Sequence, residues 1–398
     1  MRFFWQYYQH VPWVAFAVLV LAFVRTCGLR RRAQVVWGTA LLLVCFKYVV
    51  YGRLGGDTIF PELPELLIVL WDWAYLAMLG LALLAPPCFF WRSKAKAWVL
   101  PAISAAVVGV GIWSGLRVPD VKEVELAYPD LPPALDGYRI LQITDLHANC
   151  AARRWRTEAI VDKANALGPD LLCLTGDYVD GRPEICADFL EPITRLRARD
   201  GVWAVTGNHE YINRTNPAAD WRKVYARWGI RFLANACVFP HAGLALGGTD
   251  DFEVHVPDRS RTFGQPPDVG RAFASATNGE FRVLMQHMPR EAERNIREHG
   301  VRLQLSGHSH GGFMPGMRHF VAQVNAGFVS GLYRIGDGAL YVSNGAGRWG
   351  GFPLRYFTPS EITLFTLKRS RPSYARCGLS GNYCRIWTNP RIQDGSRE

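Results

Sequence analysis

Cysteine pairs at metal-binding spacing are missing from this chain of 398 residues. None of its nine cysteines belongs to a C-x-x-C pair, so a thiolate zinc knuckle is not supported. Cys377 and Cys384 lie close together near the end of the sequence, and two interpretations stay open for them. Either they form a disulfide, which an oxidising compartment would allow, or they are two free thiols.

A basic stripe with interleaved aromatic residues is also missing, and we therefore expect no nucleic-acid partner. The net charge is +11, from 45 Lys and Arg against 34 Asp and Glu. The first 115 residues hold ten Lys and Arg but only four Asp and Glu, and the basic residues flank apolar runs. This distribution is typical of a protein that is oriented in a membrane.

Charged residues are scarce in four apolar stretches of the first 115 residues. About 20 apolar residues cross a bilayer, and these stretches lack the polar face of a surface helix. We expect a transmembrane region of about four helices over residues 1–115, with spans at about 7–24, 33–50, 66–85 and 97–113. A cleaved signal peptide is the alternative for the first stretch, but the basic cluster follows the apolar run instead of preceding it.

The loops between the stretches predict the orientation. Arg25 and Arg30–Arg32 lie between the first two stretches, and Arg92, Lys94 and Lys96 lie between the last two. Basic loops face the cytoplasm. We therefore expect a multi-pass integral membrane protein, in the inner membrane if the source is bacterial, with everything after the fourth span on the extracytoplasmic side.

Lys47 and Asp72 are ionisable residues within apolar stretches. Both fall toward the outer ends of their predicted spans, so we expect snorkelling side chains or a structural ion pair. A transporter is the weakest interpretation, because the sequence has no paired repeat and no central polar cluster.

The remaining sequence is typical of a soluble α/β domain. Prolines at positions 119, 129, 132 and 133 predict a linker and an entry strand over residues 116–137. Between residues 138 and 368, short β-rich runs follow one another, with a helix-like segment at Thr157–Leu167. The polar tail over residues 369–398 is expected to be loosely ordered.

Short polar motifs follow five of the β-rich runs. In open α/β sheets the loops after the strands converge at one edge, so these side chains should gather there. Carboxylate, amide and imidazole groups together suit Mn, Fe or Zn, and two such ions about 3.5–4 Å apart are a standard device for cleaving phosphate esters. The candidate metal ligands are Asp145, His147, Asp177, Asn208, His287, His308 and His310.

The order of these motifs resembles the calcineurin-like metallophosphoesterase superfamily. The motifs are D-x-H at 145–147, G-D at 176–177, G-N-H-E at 207–210, a single His at 287 and G-H-x-H at 307–310. The H-x-P at 287–289 and the Y-V-S-N-G-x-G at 341–347 resemble its membrane-associated bacterial branch, typified by YkuE and YaeI. The resemblance spans about residues 138–367 and implies a four-layer αββα sandwich with a dinuclear metal centre, but it does not assign a role to the transmembrane region.

The resemblance also implies roles for the motif residues. Asp177 would bridge two divalent ions, with Mn, Fe or Zn expected and Mg as a further option. The first ion would take Asp145, His147, Asp177 and His310, and the second would take Asp177, Asn208, His287 and His308. A hydroxide that bridges the ions would attack phosphorus. His209 would stabilise the transition state or protonate the leaving oxygen.

Other polar residues near the motifs are weaker candidates. Glu210 either orients His209 or is a surface cap. Asn344 and Arg348 follow a strand and are candidates for lining a substrate cleft. Turn or cap residues are expected at Asp180, Asp250 and Asp251.

These observations predict a membrane-anchored, metal-dependent phosphoesterase that hydrolyses a phosphomonoester or phosphodiester, lipid-linked substrates included. One alternative is a cytoplasm-facing UDP-sugar-lipid pyrophosphatase. Another is a catalytically silent metal-binding sensor or docking module. The expected partners are the lipid bilayer and the phosphoester substrate, and the oligomeric state is left open.

Overall fold

The computed structural model describes residues 10–87, 90, 93–212, 217–255, 265–314, 316–349 and 353–369. Cys377, Cys384 and the predicted tail beyond residue 369 lie outside the described residues, as does the start of the first predicted span. The chain divides into two compact units. The first unit comprises the residues up to Leu116 together with Leu354. The second unit begins at Arg117 and contains both β-sheets.

The described part of the first unit is helical. Its helices are α1 (Val11–Leu19, continued by a π-helical turn over Val20–Val24), α2 (Arg31–Cys45), α3 (Lys47–Leu54), α4 (Glu65–Leu84) and α5 (Lys96–Leu116). Helices α4 and α5 are long and apolar enough to cross a membrane. The pair α2–α3 qualifies as a third span if its two helices, which meet at an angle of 44°, are counted together.

The first predicted span differs from the other three. The apolar helix over Val11–Val24 is shorter than the length needed to cross a membrane. Within the described residues, the structure therefore supports two or three of the four predicted spans.

Lys47 and Asp72, the ionisable residues within the apolar stretches, form a buried ion pair. Lys47 Nζ lies 2.9 Å from Asp72 Oδ1, and each residue is only 4% exposed. The hydroxyl of Tyr51 donates to the same carboxylate oxygen at 3.0 Å. The ammonium group also lies 4.6–5.2 Å from the ring centroids of Tyr48, Tyr51 and Tyr75. Of the two predicted arrangements, the structure shows the ion pair.

Replacing Asp72 by leucine should destabilise the first unit by about 3–5 kcal/mol, because Lys47 would be left as an uncompensated buried charge. The double variant Lys47→Met/Asp72→Leu should recover most of that loss, since neither charge then remains. Thermal unfolding of the full chain in one detergent measures both effects, with Glu65→Gln at the first turn of the same helix as the control. Equal destabilisation by the single and double variants would contradict the interpretation.

The first sheet of the second unit has six strands and mixed direction. In spatial order its strands are β1 (Asp120–Tyr128), β12 (Glu361–Arg369), β2 (Arg139–Ile143), β3 (Leu171–Thr175), β4 (Val202–Val205) and β5 (Arg231–Phe232). Strands β2 to β5 are parallel, while β12 is antiparallel to β2 and parallel to β1. The segment predicted as a linker and entry strand contains β1, which pairs with β12 along its whole length.

The second sheet also has six strands of mixed direction. In spatial order they are β10 (Gly331–Ile335), β11 (Gly338–Val342), β9 (Leu303–Ser306), β8 (Phe281–Met285), β7 (Leu244–Gly248) and β6 (Ala236–His241). Strands β11, β9, β8 and β7 are parallel, and an antiparallel strand closes each edge. In register, Val283 of β8 lies opposite Leu303 of β9.

Apolar side chains hold the two sheets together. Strands β3, β7 and β11 are buried on both faces, which explains their nearly continuous apolar sequences. Ile140, Cys173 and Val205 of the first sheet belong to one buried cluster with Leu246 and Val283 of the second. The prediction of an α/β fold with two packed sheets is confirmed.

Helices cover the outer faces of both sheets. Those of the second unit are α6 (Arg154–Ala166), α7 (Pro183–Leu190), α8 (His209–Ile212), α9 (Pro217–Arg227), α10 (Val269–Ala272), α11 (Ala292–His299) and α12 (Met317–Val324). Side chains of α6, α7 and α9 pack on the first sheet, and side chains of α10 and α11 pack on the second. The helix predicted near Thr157–Leu167 is α6.

Candidate metal centre

The predicted metal ligands all stand just past the carboxyl ends of parallel strands. Strands β2, β3 and β4 of the first sheet lead into three of the loops, and β8 and β9 of the second sheet lead into the other two. Because these ends lie at the same edge of the sandwich, the loops meet there. The residues they carry are Asp145, His147, Asp177, Asn208, His287, His308 and His310.

The backbone of these loops is unusual. Asp145, His147, Asp177, His308 and His310 all have positive φ angles, between 47° and 70°. Non-glycine residues rarely adopt this region, and each instance costs of order 1–3 kcal/mol unless the surrounding structure enforces it. Five of them in one site indicate that the loops are shaped for a function and not for local stability.

Glycines next to the ligands allow the loops to approach closely. A Cβ atom at residue 207 would collide with the carboxylate of Asp177, and one at residue 307 would collide with that of Asp145. Gly207 and Gly307 are therefore needed for the close packing of the loops around these two carboxylates.

Asp145, His147 and His310 form a first group of candidate ligands. Their ligand atoms all lie within 4.8 Å of one another. His147 Nε2 lies 2.9 Å from His310 Nε2, and His310 Nε2 lies 3.4 Å from Asp145 Oδ1. All three side chains are buried.

Asp177, His287 and His308 form a second group within the same distance limit. His287 Nε2 lies 3.1 Å from Asp177 Oδ2, and His308 Nδ1 lies 2.6 Å from Asn208 Oδ1. Asp177 Oδ2 is also 3.9 Å from His147 Nε2 of the first group. The carboxylate of Asp177 thus stands between the two groups, and Asn208 adjoins the second.

The orientation of the imidazole rings fits cation binding. His287 Nδ1 donates to the carbonyl of Thr175 at 2.8 Å, so its Nε2 points at the Asp177 carboxylate 3.1 Å away, and among the described residues this buried nitrogen has no hydrogen bond of good geometry. In a neutral ring that nitrogen is an acceptor facing another acceptor, an arrangement that needs a proton or a metal ion between the two atoms. The donor set of carboxylate, amide and imidazole therefore fits divalent ions.

The local charges favour the same interpretation. Burial lowers the pKa of His308 to about 3, so its ring is a neutral ligand at neutral pH. Burial opposes ionisation of Asp145 and Asp177, but the neighbouring histidines outweigh it and hold the pKa of both carboxyl groups below the usual value. For His287, burial works against the charged ring, yet Asp177 raises its pKa to about 10. A metal ion would displace that proton on binding.

Asp180 is a site residue that the sequence did not reveal. We expected a turn or cap residue, but its buried Oδ1 accepts hydrogen bonds from His147 Nδ1 at 2.9 Å and from His209 Nδ1 at 2.5 Å. It therefore orients both a candidate metal ligand and the candidate proton donor. The only signal in the sequence is its position three residues after Asp177, which by itself is also typical of a turn.

Glu210 has a different role from either of the two that we predicted. It is 2% exposed, so it is not a surface cap, and the partner of His209 Nδ1 is Asp180. Its carboxylate accepts from the backbone N–H groups of Gly207 at 2.7 Å, Asp177 at 3.0 Å and Tyr178 at 2.8 Å. Glu210 thus joins the loop after β3 to the loop after β4.

The two weaker cleft candidates are buried. Asn344 is 6% exposed; its amide donates to the carboxylate of Glu361, and its Oδ1 accepts from Ser330 Oγ at 2.6 Å. Arg348 is 2% exposed and donates to the carbonyl of Ala151. These contacts give both side chains structural partners inside the protein.

Arg355 is a second residue that the sequence did not reveal. Its buried guanidinium donates to His310 Nδ1 at 3.1 Å and to the carbonyls of Asn344 at 2.8 Å and Gly347 at 2.6 Å. It therefore fixes the ring of His310 against the loop after β11. No motif marks this arginine, which lies 45 residues further along the chain than the histidine it contacts.

Replacing Asp180 by asparagine should weaken metal binding or turnover by about 10- to 100-fold, because partners that orient a ligating histidine typically contribute that much. The amide oxygen of asparagine lacks the negative charge with which the Asp180 carboxylate accepts hydrogen bonds from the rings of His147 and His209. Calorimetric titration of metal-free protein with Mn²⁺ and steady-state kinetics measure the effect. Asp188→Asn is the matched control, since Asp188 is exposed and pairs with Arg154. Unchanged affinity together with unchanged turnover would contradict this role.

Comparison with known proteins agrees with the geometry. Residues 138–312 match the family model described as calcineurin-like phosphoesterase. A transmembrane protein with metallophosphoesterase domain from Danio rerio is 31% identical over 281 residues, which cover 68% of this chain and 63% of that protein. The chain therefore spans less than two thirds of that relative.

Two bacterial relatives are similar at the same level. An uncharacterized metallophosphoesterase of Campylobacter jejuni is 30% identical over 274 residues, covering 68% of each chain. The uncharacterized metallophosphoesterase YkuE of Bacillus subtilis is 28% identical over 253 residues, covering 60% of this chain and 82% of that one. The predicted resemblance is confirmed, and the predicted enzyme class, a phosphoester hydrolase, agrees with the family description. The chain belongs to the calcineurin-like metallophosphoesterase family.

Proposed function

We propose that this protein is a membrane-anchored phosphoesterase with two divalent ions at the site formed by the loops after β2, β3, β4, β8 and β9. The observation that carries the proposal is the position of the Asp177 carboxylate between two groups of candidate ligands. Two cations held close together repel each other unless an anion is shared between them. A buried carboxylate in that position supports a pair of ions and not a single one.

The residues divide the site into two halves. Asp145, His147 and His310 would hold the first ion, and Asn208, His287 and His308 the second, with Asp177 common to both. When bound, two such ions supply positive charge for the phosphoryl oxygens and lower the pKa of a water molecule so that hydroxide is available at neutral pH. Mn, Fe or Zn suits the mixed nitrogen and oxygen ligands better than Mg, which prefers oxygen.

His209, held by Asp180, is the candidate for proton transfer at this site. His209 has a 10% exposed side chain beside the buried ligands, and its Nε2 lies 4.0 Å from Asp177 Oδ2. Because Asp180 binds its Nδ1, the Nε2 atom is the one that faces the site. We assign His209 to the phosphoryl group or to the leaving oxygen, where a positioned imidazole donates a proton.

The first unit favours a substrate at the membrane. Helices α4 and α5 are long and apolar enough to span it, and the zebrafish relative carries the word transmembrane in its name. We propose four spans in total, the lipid bilayer as a partner, and a phosphomonoester or phosphodiester substrate that is lipid-linked. Anchoring keeps the site close to such a substrate and so raises its effective concentration.

Purified full-length protein, stripped of metal and reloaded in turn with Mn²⁺, Zn²⁺, Fe²⁺ and Mg²⁺, tests the function. We expect metal-dependent hydrolysis of p-nitrophenyl phosphate or bis-p-nitrophenyl phosphate, and the preferred compound distinguishes a monoesterase from a diesterase. Stoichiometric metal binding with no hydrolysis of either compound under any metal would overturn the proposal in favour of a silent metal-binding module.

The catalytic domain should lie on the extracytoplasmic side, because Arg92 and Lys94 lie between the α4 and α5 segments of the sequence and Lys96 begins α5, and this basic cluster should stay in the cytoplasm. Alkaline phosphatase fused after Glu398 should be active in a bacterial host, and green fluorescent protein fused at the same position should be dark. A fluorescent green fluorescent protein fusion together with an inactive alkaline phosphatase fusion would place the site in the cytoplasm. That result would favour a cytoplasmic nucleotide-linked lipid substrate.

A further inference from the structure

A cleft of about 420 Å³ lies beside the metal centre, at the same edge of the sandwich. Thr206 and Glu210 form part of its wall, and they flank the Asn208–His209 segment of the site. Its volume falls within the range of small-molecule sites in proteins. The cleft is therefore a candidate for binding part of a ligand next to the reacting group.

Several aromatic side chains belong to the lining of the cleft. Tyr211, Trp221, Tyr225 and Phe232 contribute to it, and none of the four is an exposed residue. The rings of Trp221 and Tyr225 are stacked with centroids 5.4 Å apart, and Tyr225 lies 5.1 Å from Phe232. Trp221 and Tyr225 are almost wholly buried and Phe232 is partly exposed, so the packed rings form a rigid apolar wall that faces the cleft mainly through Phe232.

Charged groups are placed unevenly around this surface. Arg222 and Arg271 line the cleft and are exposed, so they stand at its mouth. The two carboxylates of the lining are buried and already accept hydrogen bonds, Glu210 from the loop backbone and Asp250 from the backbone N–H of Gln265. A ligand would therefore keep an anionic group near the arginines and its apolar part on the rings.

Another cavity that the described residues line offers a contrast. It measures about 530 Å³ and lies at the opposite edge of the second sheet, between the starts of β8 and β9 and the β10–β11 turn. Arg282, Arg297 and Arg302 contribute to its lining, and Phe281 is its one aromatic residue. It has neither an aromatic platform nor a connection to the catalytic loops.

We infer that the cleft beside the metal centre binds an amphipathic anion, namely an aromatic or acyl group that carries a phosphate, sulfonate or carboxylate. Two kinds of molecule carry such a group: the substrate itself, through its organic part, or a separate effector. Binding does not require metal, because none of the cleft residues named here is among the candidate ligands.

Calorimetry with naphthalene-2-sulfonate tests the inference directly. The full chain is used in lipid nanodiscs without metal, and empty nanodiscs correct for partition into lipid. We expect saturable binding of the sulfonate, and binding at least about tenfold weaker for methanesulfonate, which lacks the rings, and for 2-naphthalenemethanol, which lacks the charge. No saturable binding above the empty discs would overturn the inference.

Two variants locate the binding. Ala226 is exposed on α9 and lines the cleft, so Ala226→Trp should fill it and weaken binding at least about tenfold. Arg227→Trp adds the same side chain at the next exposed position, outside the lining, and should bind as the unmodified chain does. The double variant Arg222→Ala/Arg271→Ala should weaken binding of the sulfonate by a similar factor but leave the affinity for 2-naphthalenemethanol unchanged. Equal affinity of Ala226→Trp and Arg227→Trp would overturn the inference.

Kinetics with metal-loaded protein separates the two sources. If the cleft holds the organic part of the substrate, the sulfonate raises KM for 2-naphthyl phosphate without changing kcat. If it holds a separate effector, the sulfonate changes kcat. Because the binding measurement needs no turnover, an inactive enzyme that still binds the sulfonate would count against the proposed function and not against the cleft.

Discussion

Replacing Asp177 by asparagine should reduce phosphoester hydrolysis by at least about 10²- to 10³-fold, the loss that follows removal of a single group that stabilises charge in a transition state. The substitution keeps the shape of the side chain, and an amide oxygen can still accept the hydrogen bond that the backbone N–H of His209 donates at 2.8 Å. What it removes is the negative charge between the two groups of ligands. Without that charge two cations repel each other at close range.

Metal content distinguishes this explanation from a folding defect. Plasma mass spectrometry should find about two ions per chain before the substitution and one or none after it, while the thermal unfolding of the metal-free protein stays similar. Asp162→Asn on α6 is the control, since Asp162 is exposed and lies outside the site. Full metal occupancy together with turnover like that of the unmodified chain would show that Asp177 does not bridge the ions.

The strands and the ligand loops could be predicted from the sequence because one physical rule governs both. Leu171–Thr175 is a nearly continuous apolar run, typical of a strand that is buried on both faces, and a polar motif follows it at once. The same is true of the runs before Asp145, His287 and His308. Since parallel strands bring their carboxyl ends to one edge, the sequence order alone indicated that these residues would meet.

The residues that orient the ligands could not be predicted in this way. Asp180 contacts His147 from a neighbouring loop, and Arg355 reaches His310 from a segment that follows β11. Both contacts depend on how loops pack in three dimensions, and an isolated Asp or Arg outside a strand has many ordinary explanations. The membrane unit shows a similar limit, since the sequence could not decide between an ion pair and snorkelling for Lys47 and Asp72.

Replacing His209 by asparagine should reduce turnover of an alkyl phosphate by about 10²- to 10⁴-fold, the usual contribution of a positioned general acid. An alkoxide is a poor leaving group and needs a proton as its bond to phosphorus breaks. The p-nitrophenolate ion is stable without a proton, so hydrolysis of p-nitrophenyl phosphate should fall by less than about tenfold. Steady-state kinetics of both compounds with the same metal measures the ratio.

The ratio decides between the two roles open to His209. If its Nε2 stabilises negative charge on the phosphoryl oxygens instead, both compounds should lose activity by the same factor, because that charge does not depend on the leaving group. His241→Asn is the matched control, since His241 lies outside the motifs and its Nδ1 contacts Asp200 at 3.1 Å. Metal content should be unchanged in both variants. The side chain of His209 is not among the proposed ligands and contacts Asp180, and the substitution keeps the backbone N–H that donates to Asp177. A selective loss for the alkyl phosphate would therefore place the proton of His209 on the leaving oxygen.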